Sequence, residues 1–167
     1  MPDTYLPMGL PAPVPGRDGL ELPYWEAAAD GRLVAQQCRS CQSWQWGPEW
    51  MCHHCYSFEM TWATPPGPAR IFSWERSYYP VHPALREHGP YISVVVEYAE
   101  ADDIRMVGNL LGDPEQEIVI GTMVEPVFEH RPAADGAPQH TLVQWAGALG
   151  DNAREPFDID PAVRARG

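Results

Sequence analysis

Four cysteines in two Cys-x-x-Cys pairs set the tightest limit on what this chain can fold into: Cys38-Arg-Ser-Cys41, ten residues, then Cys52-His-His-Cys55. That spacing is the spacing of a zinc ribbon. Each pair turns two sulfurs toward one point with backbone amides facing them, and two pairs complete a tetrahedron. Thiolates select zinc or iron over hard cations. The residues leave a zinc ion and a rubredoxin-like single iron in play, with zinc favoured. Two disulfides suit an exported chain, but the opening residues, MPDTYLPMGLPAPVPGRDG, lack the basic flank and unbroken apolar run of a signal peptide. A redox pair needs a thioredoxin-like context, which is missing. His53 and His54 lie between ligands. Four thiolates already saturate a tetrahedral site, so both histidines are read as solvent-facing or as supports of the ligands. A site closed by four protein ligands leaves no position for water, so the metal is structural. Its binding, roughly 10–16 kcal/mol, amounts to the folding energy of so small a unit.

Length and charge exclude several functions. The 167 residues suit one compact domain with a small appendage. The formal net charge is −12, and all 11 basic residues are arginine. Without lysine there is no Schiff-base amine, no pyridoxal-phosphate anchor and no P-loop lysine. An acidic surface also opposes binding to a polyanion, so no nucleic-acid partner is expected, although zinc ribbons joined to OB-fold barrels often bind single strands. No apolar run reaches the roughly 18 residues that cross a bilayer, and a cytoplasmic location without membrane contact is the expectation.

Along the chain, 19 Pro and 14 Gly favour turns and strand ends over long helices. Residues 1–22 form a Pro-rich arm that either stays unfolded or orders against a partner, using apolar residues such as Tyr5, Leu6 and Leu10. Residues 23–32 read as a short helix. Pro23 suits its first turn, Ala27-Ala28-Ala29 favours helix, Gly31 suits the stop, and Tyr24, Trp25 and Ala28 share a face. The ribbon spans 33–66. From 67 to 146 the pattern turns to period-two strands, read as 69–78, 91–98, 104–111, 122–129 and 141–145. Residues 100–103 make a tight acidic turn, and 112–121 has room for a single helical turn. The fold class is mainly β: an N-terminal helix, a rubredoxin-like zinc ribbon and a five-stranded OB-fold barrel. A five-stranded sandwich fits the same pattern. A polar tail, 147–167, closes the chain.

Six aromatics crowd the ribbon: Trp44, Trp46, Trp50, Tyr56, Phe58 and Trp62. A ribbon has almost no interior, so these rings either pack on the barrel or form an exposed contact face.

Several stretches together carry a family likeness. A Tyr24-Trp-Glu-Ala helix ends in Asp30-Gly31-Arg32-Leu33 and leads into the two cysteine pairs. Arg70-Ile-Phe-Ser-Trp74, Pro90-Tyr-Ile-Ser-Val-Val-Val-Glu97, Ile104-Arg-Met-Val-Gly-Asn-Leu110 and Ile120 through Phe128 follow in order. Over residues 23–146 the chain resembles the OB-fold proteins with a rubredoxin-like zinc ribbon that accompany acyl-CoA enzymes. The resemblance implies Cys38, Cys41, Cys52 and Cys55 as ligands of a structural zinc. It also implies a thiolase-like aldolase or acyltransferase as partner in a heterotetramer, or an enoyl-CoA hydratase, with a CoA ester as substrate of the complex. Steroid side-chain breakdown is among the reactions it implies. It supplies no catalytic residue.

The residues themselves propose no reaction either. There is no Gly-x-Ser-x-Gly elbow, no Gly-x-Gly-x-x-Gly and no phosphate loop. His82 and His88 fall in a loop between strands, His130 and His140 flank a hairpin, Asp102 and Asp103 suit a turn, and Glu97 reads as the polar side of a strand. Arg70, Arg76 and Arg105 have the chemistry to meet CoA phosphates should the chain bind CoA esters by itself.

Overall fold

The computed structural model describes residues 5–14, 16, 18–134 and 138–147. The tail read at 147–167 lies, beyond Gly147, outside them. One helix, α1 (Leu22–Ala29), precedes eight strands: β1 (Ala35–Cys38), β2 (Trp44–Gln45), β3 (Met60–Ala63), β4 (Ala69–Ser77), β5 (Tyr91–Tyr98), β6 (Ile104–Asn109), β7 (Met123–Arg131) and β8 (His140–Gly147).

Helix α1 starts with Pro23 in its first turn and stops where Gly31 takes φ +71°. Arg32 N–H then bonds the Ala27 carbonyl at 2.8 Å, and Gly31 N–H the Ala28 carbonyl at 3.0 Å. These two bonds close a Schellman cap, which a Cβ at Gly31 would strain. Ala28 is fully buried and Tyr24 packs on the core, so the helix docks by the face read from the sequence. It lies against β8 and β7.

Two antiparallel sheets follow. The ribbon sheet runs β2-β1-β3, three strands the period-two reading did not find. Two of them have four residues and one has two, too short to show a period. The larger sheet runs β6-β5-β4-β7-β8. On β5 the residues Ile92, Val94, Val96 and Tyr98 face inward and meet Met106, Val124, Val143 and Trp145. Burying that set against α1 makes the core.

This sheet curls without completing its ladder. Just past the end of β6, Leu110 meets Trp145 of β8 at one parallel bridge, where Leu111 N–H bonds the Trp145 carbonyl at 2.7 Å. Next to it, the Asn109 amide bonds the Gln144 side chain instead of a β8 backbone group. The architecture is the five-stranded OB-like fold expected, with an open seam between its end strands.

Two connections depart from the sequence reading. Residues 113–116 form a turn, held by Gln116 N–H to the Asp113 carbonyl and Glu115 N–H to Asp113 Oδ1, in place of a helical turn. A 3₁₀ turn sits instead at Pro83–Leu85, capped by His82, whose Nδ1 accepts from Ala84 N–H. The N-terminal arm also departs: residues 5–7 lie on the chain's own barrel. Tyr5 N–H donates to Glu129 at 3.2 Å, and Arg131 donates to the Leu6 and Pro7 carbonyls.

Candidate metal centre

The backbone builds the two cysteine pairs as near-copies. Gln42 N–H reaches back to the Cys38 carbonyl and Tyr56 N–H to the Cys52 carbonyl, each at 2.9 Å. Cys38 N–H bonds the Ser43 carbonyl and Cys52 N–H the Ser57 carbonyl, again each at 2.9 Å. Gln42 and Tyr56 both take left-handed backbone, at φ 65° and 63°. Both knuckles therefore wrap their sulfurs in the same loop.

The four thiols converge. All are free, and the four Sγ atoms lie within 4.8 Å of one another. Cys38 to Cys55 is 3.6 Å and Cys41 to Cys52 is 3.7 Å. A tetrahedron of sulfurs about 2.3 Å from zinc has edges of roughly 3.8 Å. The donor set fits such an ion in number, kind and spacing. His53 and His54 stand outside the cluster, both exposed.

Crowding of the thiols shows in their acidity. The Ser43 hydroxyl, 3.3 Å from Cys41 Sγ, and the Ser43 backbone hold Cys41 down to about 6. Cys55 receives a lowering bond from the Ser57 backbone, yet the neighbouring Cys41 sulfur and burial push it up to about 12. Four sulfurs this close do not all ionise without a cation among them.

Two buried glutamines, unremarked in the sequence, fix the loop between the pairs. Gln45 donates to Gln36 at 2.9 Å, Gln36 bonds the Glu49 carbonyl and amide at 3.0 and 2.9 Å, and Gln45 accepts from His53 N–H at 3.2 Å. They are 2% and 1% exposed and take the place of an apolar ribbon interior.

The aromatics divide by knuckle. Trp44 and Trp46, after the first pair, pack against the barrel core, with the Trp46 ring 5.0 Å from that of Tyr24. Trp44 N–H also donates to Asp102 Oδ2 at 2.7 Å. Trp62 on β3 is half-buried. Trp50, Tyr56 and Phe58, around the second pair, are 59%, 69% and 74% exposed.

The remaining polar candidates are engaged within the chain. Glu97, read as a strand's polar side, is instead buried and shared by two arginines. Arg70 donates to Oε1 at 3.1 and 2.6 Å, and Arg105 to Oε2 at 3.0 and 2.8 Å. Those bonds, Arg70's first, hold the carboxyl below its ordinary range. Arg76 donates to the Gln116 carbonyl at 2.6 Å and pairs with Glu115 at 3.8 Å. None of the three arginines considered for CoA phosphates is unpartnered. His88 Nε2 bonds the Tyr5 carbonyl and His130 Nδ1 meets Thr141 Oγ1, each at 2.9 Å, while His140 bonds the Pro138 carbonyl at 3.1 Å. No helix among the described residues is long and apolar enough to cross a membrane.

Comparison with known proteins accounts for both halves. Residues 25–61 match the ChsH2 rubredoxin-like zinc ribbon domain, and residues 62–129 match the ChsH2 C-terminal OB-fold domain. A solved structure, Ltp2-ChsH2(DUF35) aldolase, contains a chain that this one covers completely, over 83% of its own length, at 30% identity and TM-score 0.65. The chain belongs to the ChsH2 family. It is also 35% identical over 115 residues to a probable enoyl-CoA hydratase alpha subunit from Thermomonospora curvata. That match takes in 68% of this chain and 34% of the relative, so the chain spans about a third of that protein's length. A DUF35-family protein of unknown function from Sulfolobus solfataricus shares the fold at 9% identity and TM-score 0.52, over 76% of this chain and 84% of that one.

Proposed function

We propose that this chain is a zinc-binding partner subunit of a thiolase-like acyl-CoA enzyme and carries no reaction of its own. The observation that supports this most is the likeness, over 83% of this chain, to the whole of one chain of the Ltp2-ChsH2(DUF35) aldolase. Cys38, Cys41, Cys52 and Cys55 are the proposed zinc ligands, supported by their convergence and spacing. When bound, zinc supplies a closed structural centre that ties the two knuckles together. The ribbon (33–66) and barrel (67–146) then act as one rigid support.

In this reading the large subunit binds the CoA ester and cleaves a carbon–carbon bond of a β-hydroxyacyl-CoA by retro-aldol reaction, as in steroid side-chain or related acyl-CoA degradation. The general base and the donors to the developing enolate oxygen belong to the large subunit. This chain stabilises that subunit and helps shape its acyl-CoA site, as two copies of each in a heterotetramer. A second reading, support of an enoyl-CoA hydratase, draws on the likeness to the Thermomonospora curvata relative.

The test is co-expression with thiolase-like and hydratase open reading frames flanking its gene, with the tag on this chain. Co-elution of the thiolase-like protein, with aldol cleavage that needs both chains, is the expected result. Co-elution of a hydratase alone favours the second reading. Two monodisperse, separate proteins contradict both.

A further inference from the structure

The two zinc knuckles have matching backbone bonds but unlike surroundings. Aromatics beside the first are partly buried against this chain's own barrel, whereas Trp50, Tyr56 and Phe58 beside the second are exposed. We infer that the second knuckle is a docking head for the thiolase-like subunit, seated on an apolar patch of that subunit rimmed by basic side chains. The inference rests on the proposed function, whose partner it keeps, and adds the surface used.

Tyr56 carries much of the argument. Its φ of 63° is a conformation glycine adopts freely and a Cβ-bearing aromatic does not. The matching position in the first knuckle holds Gln42, whose amide caps the Arg39 carbonyl at 2.8 Å. Tyr56 is 69% exposed, and among the described residues no such side-chain bond offsets its strain. The knuckle loop itself sets this backbone, as at Gln42; what distinguishes the second knuckle is that a large aromatic ring stands exposed there.

The patch is also rigid. Gln36 and Gln45 pin the loop that bears Trp50 from beneath, so its ordering cost falls on folding and not on binding. The three rings offer roughly 400 Å² of exposed area, about half of one side of a standard interface. Trp and Tyr are the residues that dominate such centres. Exposed Glu49 and Glu59 bracket the patch in a chain of net charge −12 without lysine, which fits a basic rim opposite. On the barrel, the exposed Phe72 ring is already covered on one face by the Arg105 guanidinium at 3.6 Å, and Glu97 holds that arginine.

The experiment measures the dissociation constant of the complex with the thiolase-like subunit by titration calorimetry, with bound zinc counted on every variant. Tyr56→Gly with Phe58→Ala is expected to weaken binding at least a hundredfold with one zinc per chain retained, while Phe72→Ala stays within threefold. Should the double variant lose zinc, Tyr56→Gly alone decides, since it removes the ring and relaxes the backbone; a tenfold weakening is expected. Binding within threefold for the zinc-loaded variant overturns the inference and leaves the partner reading standing. So does loss of a homodimer of this chain with the heteromeric complex intact, which would make the occupant a second copy. A wild-type chain that binds no thiolase-like subunit overturns both.

Discussion

Arg105 and Glu97 face each other across β6 and β5, and the arginine gives one carboxylate oxygen two hydrogen bonds, at 3.0 and 2.8 Å. Arg70, opposite Glu97 on β4, takes the other oxygen, so three strands carry one row of alternating charge. Because this row holds Glu97 below its ordinary value of 4.5, its contribution to stability is complete above 4.5 and is lost as pH falls through the lowered value. Glu97→Gln should lower the Tm at neutral pH. Thermal melts across a pH series should show that deficit closing on acidification below 4.5.

Arg131 and Glu129 form a second pair, at 3.3 Å and with both side chains buried, that clamps the arm at Tyr5, Leu6 and Pro7. Arg131→Ala leaves a buried carboxylate unpaired, and breaking such a pair costs about 3–5 kcal/mol. Urea unfolding measures the loss. Limited proteolysis should cut the freed arm within residues 5–14 before the barrel.

Gly108 sits where β6 passes over the Trp145 indole. A Cβ there would lie 2.7 Å from two indole ring atoms and 2.9 Å from the Val143 carbonyl. Gly108→Ala must push β6 off β8 at the seam, an overpacking of roughly 1–3 kcal/mol. A fall in the unfolding midpoint with a change in Trp fluorescence would report it.

Asp102 and Asp103 are the two left-handed residues, φ 53° and 56°, of the turn from β5 to β6. Only Asp102 also accepts Trp44 N–H from the ribbon. Asp103→Gly should therefore raise stability by up to about 1 kcal/mol. Asp102→Ala keeps the strain, drops the ribbon contact and should lower stability; chemical denaturation of the pair tests the contrast.

What the sequence made legible follows the range of the interactions. The cysteine pairs, the Pro23 start and Gly31 stop of α1, and the alternation of β5 are local, and the structure reproduces them. The Arg70–Glu97–Arg105 row depends on strand register, which period-two reading alone does not set. Gln36 and Gln45 look like surface residues until the loop at 49–53 folds over them. The open seam depends on the place of Gly108 against Trp145, 37 positions away. Which ribbon aromatics face out was undecided by composition, because the two knuckles share one backbone and differ only in what packs beside them.

Native mass spectrometry of the complex purified without chelator tests the central account most directly, since one spectrum reads both metal and partner. The expected species holds two copies of this 18.7 kDa chain, two thiolase-like subunits and one zinc per copy of this chain. A lone, metal-free and folded chain would contradict it.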